Sequence, residues 1–229
     1  MAKLGSLMGV SVIYRIFLWL AVLFLAGCDG PEKDLRWRQN QLQQTLNTSV
    51  YNYTDSNVTE VYFKFANLPF KIEEAAYAGP VYFRNASQTT MDNGQTVYYS
   101  SSACCFYWDK SVQPPVSLRV VWQVVYDLDL FEGESGRFDH RASRAAAPGS
   151  RWCELVVPVR APYPAQFDNL RLHFLRDGAV VALVGDGKLE QPLPSAEVAV
   201  HAMTLPKGSH CQHEIDNPWY GIPRKPHRE

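Results

Sequence analysis

Chemistry in a folded chain needs convergent donors, and the densest set here is His210-Cys211-Gln212-His213-Glu214. Two histidines three residues apart hold zinc when a helix puts them on one face, with Glu214 or His201 as a third ligand. The segment is flanked by prolines, however, and Cys211 is wanted for a disulfide, so the expectation is a polar tail with no metal. A second cluster, Asp127, Asp129, Glu132 and Glu134, has the charge for a glycosidase pair or a calcium loop. It lacks the glycine placement and ligand rhythm of a binding loop. The expectation is a solvated acidic loop, in its sharper form one that meets a basic patch on a partner, where charge speeds encounter and sets specificity. Gly133-Glu134-Ser135-Gly136 has the wrong spacing for a nucleophile elbow, and no His-Glu-x-x-His helix exists. The chain is expected not to be an enzyme and to use neither a cofactor nor a small-molecule substrate.

The remaining reactive side chains are cysteines. Cys28 closes Leu25-Ala26-Gly27-Cys28 after the apolar run Ile16–Phe24, with Lys3 and Arg15 ahead of it. A basic start, an apolar segment short for a membrane span and small residues before the cysteine describe a secretory signal. The motif resembles the bacterial lipobox, which implies a lipid on Cys28 and a periplasmic protein anchored to the inner or outer membrane. That leaves Cys104, Cys105, Cys153 and Cys211, an even number for an oxidising compartment. Three pairings are open. A bridge between neighbours strains the intervening peptide, so Cys104 and Cys105 are each expected to reach a distant partner and staple one strand on both faces. Such loops are worth about 3–5 kcal/mol per bridge in the chain-entropy model. A redox or metal pair would want Cys-x-x-Cys spacing, which is absent.

Removing residues 1–27, which hold Lys3 and Arg15 and no acid, takes the 22 basic residues to 20 against 23 acidic ones. That slightly acidic balance argues against a nucleic-acid partner. The organisation expected is signal peptide 1–27, lipidated tether 28–46 with a short helix over Leu35–Leu46, β domain 47–205, and irregular C-terminal tail 206–229 pinned by Cys211. Within the domain, Thr59, Val61, Phe63 and Phe65 alternate with polar neighbours. Asp92-Asn93-Gly94 predicts a turn, pairing Val81–Arg84 loosely with Thr96–Tyr99. Leu118–Asp127 puts Val120, Trp122, Val124 and Tyr126 on one face and Arg119, Gln123 and Asp127 on the other. Leu130–Ser150 reads as a long surface loop. Cys153, Leu155, Val157 and Val159 share a strand face, and Arg176-Asp177-Gly178 turns a hairpin between Leu170–Leu175 and Ala179–Val184. Pro192–Met203 fits either strand or short helix. The fold class is mainly β, an antiparallel sandwich-like single domain with disulfides and little helix. Four Asn-x-Ser/Thr sequons, at Asn47, Asn52, Asn57 and Asn85, are read as products of this strand-and-turn composition.

Tyr51-Asn52-Tyr53-Thr54-Asp55 precedes a Val/Phe strand, and Cys104-Cys105, Trp108, Pro114-Pro115 and the strand Leu118–Trp122 follow some fifty residues later. Over roughly residues 50–160 this resembles a family of proteobacterial lipoproteins known as a domain of unknown function. Several of its members are encoded beside type VI secretion lipase effectors and act as their immunity proteins. The pattern departs at Ser100-Ser101-Ser102-Ala103, where glycines are usual, and at Phe106-Tyr107, which replaces a Leu-Pro. The resemblance implies a protein that binds and neutralises a cognate phospholipase. Trp, Tyr and Arg dominate binding hot spots. Candidate contacts are accordingly Tyr107, Trp108, the loop Asp127–Arg144 with its four carboxylates, and Trp219-Tyr220. The alternatives are a structural or assembly lipoprotein of an envelope or secretion machine and, more remotely, a hydrolase dependent on His210 or His213.

Overall fold

Strand β6 (Ser117–Val125) organises the architecture because both of its faces are covered. In the computed structural model, residues 43–223 are described apart from 110–111, 113–114, 136, 162, 165 and 187–190; the side chains of 101–105 and 135 are also outside the description. The signal peptide, Cys28 and most of the tether therefore lie outside the described residues.

The strands run β3 (Ala76–Tyr77), β2 (Asn57–Phe65), β6, β7 (Ser150–Arg160), β9 (Val180–Gly185), β8 (Asn169–Phe174), β1 (Gln43–Asn52), β5 (Thr96–Asp109) and β4 (Ser87–Thr90) across one sheet. A short β10 (Glu214–Ile215) adds to β7. Only Val159 and Arg160 of β7 pair with β9. That narrow junction lets the sheet fold over, so β2, β6 and most of β7 face β9, β8, β1 and β5. Val61, Phe63, Val120 and Trp122 from one half share a core with Val50, Leu170, Leu172 and Ala182 from the other. Trp122 meets Phe174 edge-on at 5.2 Å, and Phe63 meets Phe106 at 4.8 Å. The domain is mainly β and sandwich-like, as the strand patterning implies. Two of its pairings, β1 with β8 and β7 with β9, are parallel, which makes the sheet mixed. Parallel neighbours need long connections, and β1 meets that need by pairing with a strand more than a hundred residues later.

Several local expectations change. Residues 43–46 open β1 instead of ending a helix, because burial there alternates along a strand and Leu46 enters the core. Thr96–Tyr99 pairs with Ser87–Thr90, since the Asp92-Asn93-Gly94 turn is tight and leaves its nearest neighbours in register. Val81 instead bridges Val58. The hairpin at Arg176-Asp177-Gly178 forms as read, with Gly178 at φ +76°. Residues Ser195–Val200 form a short helix, α2.

The second face of β6 is the largest revision. Val121, Ile72 and Trp152 form a separate cluster there, covered by Tyr62, Ala146, Ile215 and Trp219. Gln123, expected at the surface, is 1 % exposed. It is satisfied: its Oε1 accepts from Thr59 Oγ1 at 3.3 Å and its Nε2 donates to Ser150 Oγ at 2.8 Å. Gln123→Leu should lower stability by about 1 kcal/mol, since it removes two buried side-chain hydrogen bonds while Thr59 Oγ1 keeps the Gln123 carbonyl at 3.2 Å and Ser150 Oγ keeps the Ala147 carbonyl at 2.7 Å. Urea denaturation reads this directly; an unchanged midpoint would mean those hydroxyls need no such partner.

Thr59 reaches Gln123 because β2 carries a bulge. Register slips by one residue between Thr59 and Tyr62, so Thr59 leaves the face that Val61, Phe63 and Phe65 keep. Glu60 occupies the slip at φ +51°, alone among the described non-glycine residues in having a positive φ. A left-handed backbone at such a residue costs about 1–2 kcal/mol.

Candidate functional site

The loop expected to be a free surface segment starts as a helix, α1 (Leu128–Ser135), and continues against the C-terminal tail. Asp127 Oδ1 accepts the Leu130 N–H at 3.0 Å and satisfies one amide of the first turn. At the other end, the Gly149 carbonyl accepts the Tyr126 N–H at 2.9 Å and the Asp127 N–H at 3.1 Å, closing the loop's base. Gly149 has φ +76°, and a Cβ there would lie 2.3 Å from the Asp127 carbonyl oxygen. Glycine is required at that closure.

Beyond α1 the loop and tail are bound through their backbones. The Asn217 N–H donates to Arg144 O at 2.7 Å, and the Gly221 N–H donates to Arg141 O at 2.9 Å. Arg141 Nη1 in turn donates to the carbonyls of Ile222 and Pro223. Three guanidinium–aromatic pairs follow from this docking. Arg141 lies over Trp219 at 5.2 Å, Arg144 over Tyr220 at 5.0 Å, and Arg151 over Tyr126 at 5.5 Å. Two of these arginines also pair with tail carboxylates: Arg151 meets Glu214 at 3.6 Å and Arg144 meets Asp216 at 3.9 Å. The outcome is a band of three arginine–aromatic pairs beside a disulfide-tied tail.

That disulfide joins Cys153 and Cys211 across 58 positions, with Cα atoms 6.2 Å apart. Pairing of Glu214 with Cys153 in the β10–β7 ladder brings the tail to this position. The two distant cysteines therefore consume each other, and the expected hub, in which Cys104 and Cys105 each take a distant partner, does not form. Cys104 and Cys105 lie on β5, in the opposite half of the sheet. Cys211 does pin the tail, as expected.

The other sequence candidates separate by environment. Tyr107 is 58 % exposed on β5, whereas its neighbour Trp108 is 3 % exposed, because adjacent strand residues point to opposite faces. Trp108 packs edge-on against Phe65 at 5.2 Å and Phe167 at 5.3 Å. It is a core residue and leaves the list of contact candidates. The carboxylates disperse: Asp127 serves the helix terminus, and Glu132 pairs with Arg84 at 3.4 Å. Asp129 lies in the first turn of α1 and Glu134 near its end. Trp219 is half-buried against Tyr62, at 5.8 Å, while Tyr220 is 45 % exposed. His210 stacks flat on Tyr126 at 3.9 Å, and His201 Nδ1 sits 2.7 Å from Asp177 Oδ2.

Two features escape sequence reasoning. Arg141, Arg144 and Arg151 acquire meaning only from the tail that lies on them. A buried group also organises the Tyr51–Asp55 motif. Tyr51 stacks on His173 at 4.6 Å, and Tyr53 Oη lies 3.2 Å from His173 Nδ1. The backbone N–H groups of Gln191 and Leu193 donate to the two tyrosine oxygens. Asn52 Oδ1 accepts from the Thr54 N–H and hydroxyl, shaping the turn. This motif anchors the segment at Gln191 and Leu193. Burial pushes the Tyr53 hydroxyl well above the ordinary phenol range and the His173 imidazole down to about 3.

No protein-family model, curated protein or solved structure matches this chain.

Proposed function

We propose that this chain is a lipid-anchored periplasmic protein that binds and neutralises a phospholipase effector delivered by type VI secretion. The observation that carries the reading is the arginine–aromatic band of Arg144, Tyr220, Arg141, Trp219, Arg151 and Tyr126. Arginine, tyrosine and tryptophan are the side chains that dominate protein-binding hot spots. Here they are pre-ordered by backbone hydrogen bonds and a disulfide, so less conformational entropy is lost on association. The family resemblance supplies the partner class. A lipase must open a lid or cleft to admit lipid, and a rigid face seated there blocks that motion. A lipid on Cys28 would hold the inhibitor at the membrane its toxin attacks.

The test is binding of the exported soluble chain (Cys28→Ser) to a purified phospholipase effector of the proposed class. Arg144 and Tyr220 are suitable to remove, since the Arg144 side chain is 70 % exposed and Tyr220 also faces solvent. The double variant Arg144→Ala/Tyr220→Ala should raise Kd about 30-fold, as expected for loss of roughly 2 kcal/mol from a hot spot. Its thermal midpoint should stay near that of the parent. Wild-type affinity in the double variant would place the binding face elsewhere.

A further inference from the structure

A cavity of about 240 Å³ lies between β2, β6, β7 and the loop–tail pair, walled by Tyr82, Phe131, Trp152 and Trp219. Glu60, the residue of the strained bulge, also lines it. Its carboxylate accepts the Tyr62 hydroxyl at 2.6 Å and has no lysine or arginine within 4 Å among the described residues. The cavity's own basic groups are the charged Arg141 guanidinium and the His140 imidazole, and neither forms an ion pair with Glu60 within 4 Å. Arg141 lies on Trp219 and donates to two carbonyls, while burial pushes the His140 imidazole below its ordinary value. Trp152 is almost wholly buried, and its indole N–H has no hydrogen-bond partner.

A carboxylate in no direct ion pair beside aromatic walls is the chemistry that receives organic cations, through charge and the negative faces of the rings. An anion would meet Glu60 and find Arg141 already engaged. A neutral apolar guest would gain nothing from the carboxylate. Backbone strain at a non-glycine position persists where the surroundings over-determine it, and such positions cluster at ligand clamps. We infer that this cavity binds an organic ammonium or guanidinium group, with Glu60 as its counter-charge and Trp152 and Trp219 as its walls. The inference stands independently of the lipase reading.

The experiment titrates the exported soluble chain with choline, N-acetyl-lysinamide and N-acetyl-argininamide at constant ionic strength. The uncharged choline isostere 3,3-dimethylbutanol is the control. Tryptophan fluorescence and the indole N–H signals of Trp152 and Trp219 are followed together. Saturable binding of at least one cation is expected, with those two indole signals moving. The isostere should bind at least about tenfold more weakly, the scale of a desolvated cation–aromatic contact. Preference for choline assigns a quaternary-ammonium ligand, and preference for an amide-capped side chain assigns a basic residue of a protein. Glu60→Gln retains an oxygen for the Tyr62 hydroxyl and should weaken cation binding at least about tenfold. The indole readout on the parent chain decides the matter even if that variant is unstable. Absence of saturation with all three cations, equal binding of the isostere, or movement of other indoles alone would overturn the site. Unchanged affinity in a folded Glu60→Gln chain would also overturn it.

Discussion

Replacing Cys153 and Cys211 together by alanine should cost about 4 kcal/mol of stability, the chain-entropy value for a loop of this length. The bridge spans 58 positions and encloses the end of β7, both strands of the β8–β9 hairpin and α2. Its loss also frees the tail whose Ile215 and Trp219 cover Val121 and Trp152. The damage should therefore be graded. Protease sensitivity should appear first in the tail, and the arginine–aromatic band should lose its order before the sandwich core melts. Urea denaturation of parent and double variant measures the global term, and limited proteolysis with mass spectrometry locates the first cuts. A double variant as stable as the parent would show that β10 and the loop–tail hydrogen bonds suffice to hold the tail.

The second large effect is acid sensitivity set by His173. Tyr53 Oη accepts the Leu193 N–H at 2.8 Å and lies 3.2 Å from Nδ1 of His173, while Nε2 has no hydrogen-bond partner. A charged ring in that site is opposed by burial first, and then by the charges of Arg171 and Arg160. The folded value is pushed down to about 3, below the ordinary 6.5 of an unfolded chain. Above pH 6.5 the ring is neutral in both states and the contribution is complete. As pH falls below 6.5 the unfolded chain binds a proton that the folded chain refuses. Stability then drops by about 1.4 kcal/mol per pH unit until the folded value is reached. His140 and His210 add smaller losses of the same sign, since burial lowers both. Carboxylates in an unfolded chain take up protons mainly below about pH 5, so urea melts between pH 6.5 and 5.5 read chiefly the histidines. His173→Phe keeps a ring against Tyr51 and should flatten that slope by about one proton. A slope unchanged in the variant would assign the acid sensitivity to other groups.

Patterns with a short period were legible in the sequence, and contacts between distant segments were not. Val120, Trp122 and Val124 enter the core as their alternation requires, and so do Cys153, Val157 and Val159. The Arg176-Asp177-Gly178 hairpin is local chemistry and forms where read. Alternation cannot reveal that a second layer covers the polar face. Gln123 falls on the polar face of its strand by alternation, and Thr59 on the apolar face of its own until the bulge turns it toward Gln123. Nor can it say which of Tyr107 and Trp108 points inward; Phe65 and Phe167, far away in sequence, decide that. The bulge at Glu60 carries no turn residue to announce it, because surrounding pairings enforce its backbone. Trp219 and Tyr220 were visible as aromatics in an irregular tail. Their arginine partners were not, since no periodicity joins residues 141–151 to 219–220.

Stoichiometric neutralisation through the proposed arginine–aromatic face is read by titrating lipase activity. A purified phospholipase effector of the proposed class would be assayed on phospholipid vesicles with increasing amounts of the exported soluble chain, parent and Arg144→Ala/Tyr220→Ala. Activity should fall linearly to an end point near one equivalent of parent chain, whereas the double variant, with Kd raised about 30-fold, should leave residual activity at one equivalent when the lipase concentration lies near that raised Kd. Full lipase activity in the presence of excess parent chain would contradict neutralisation.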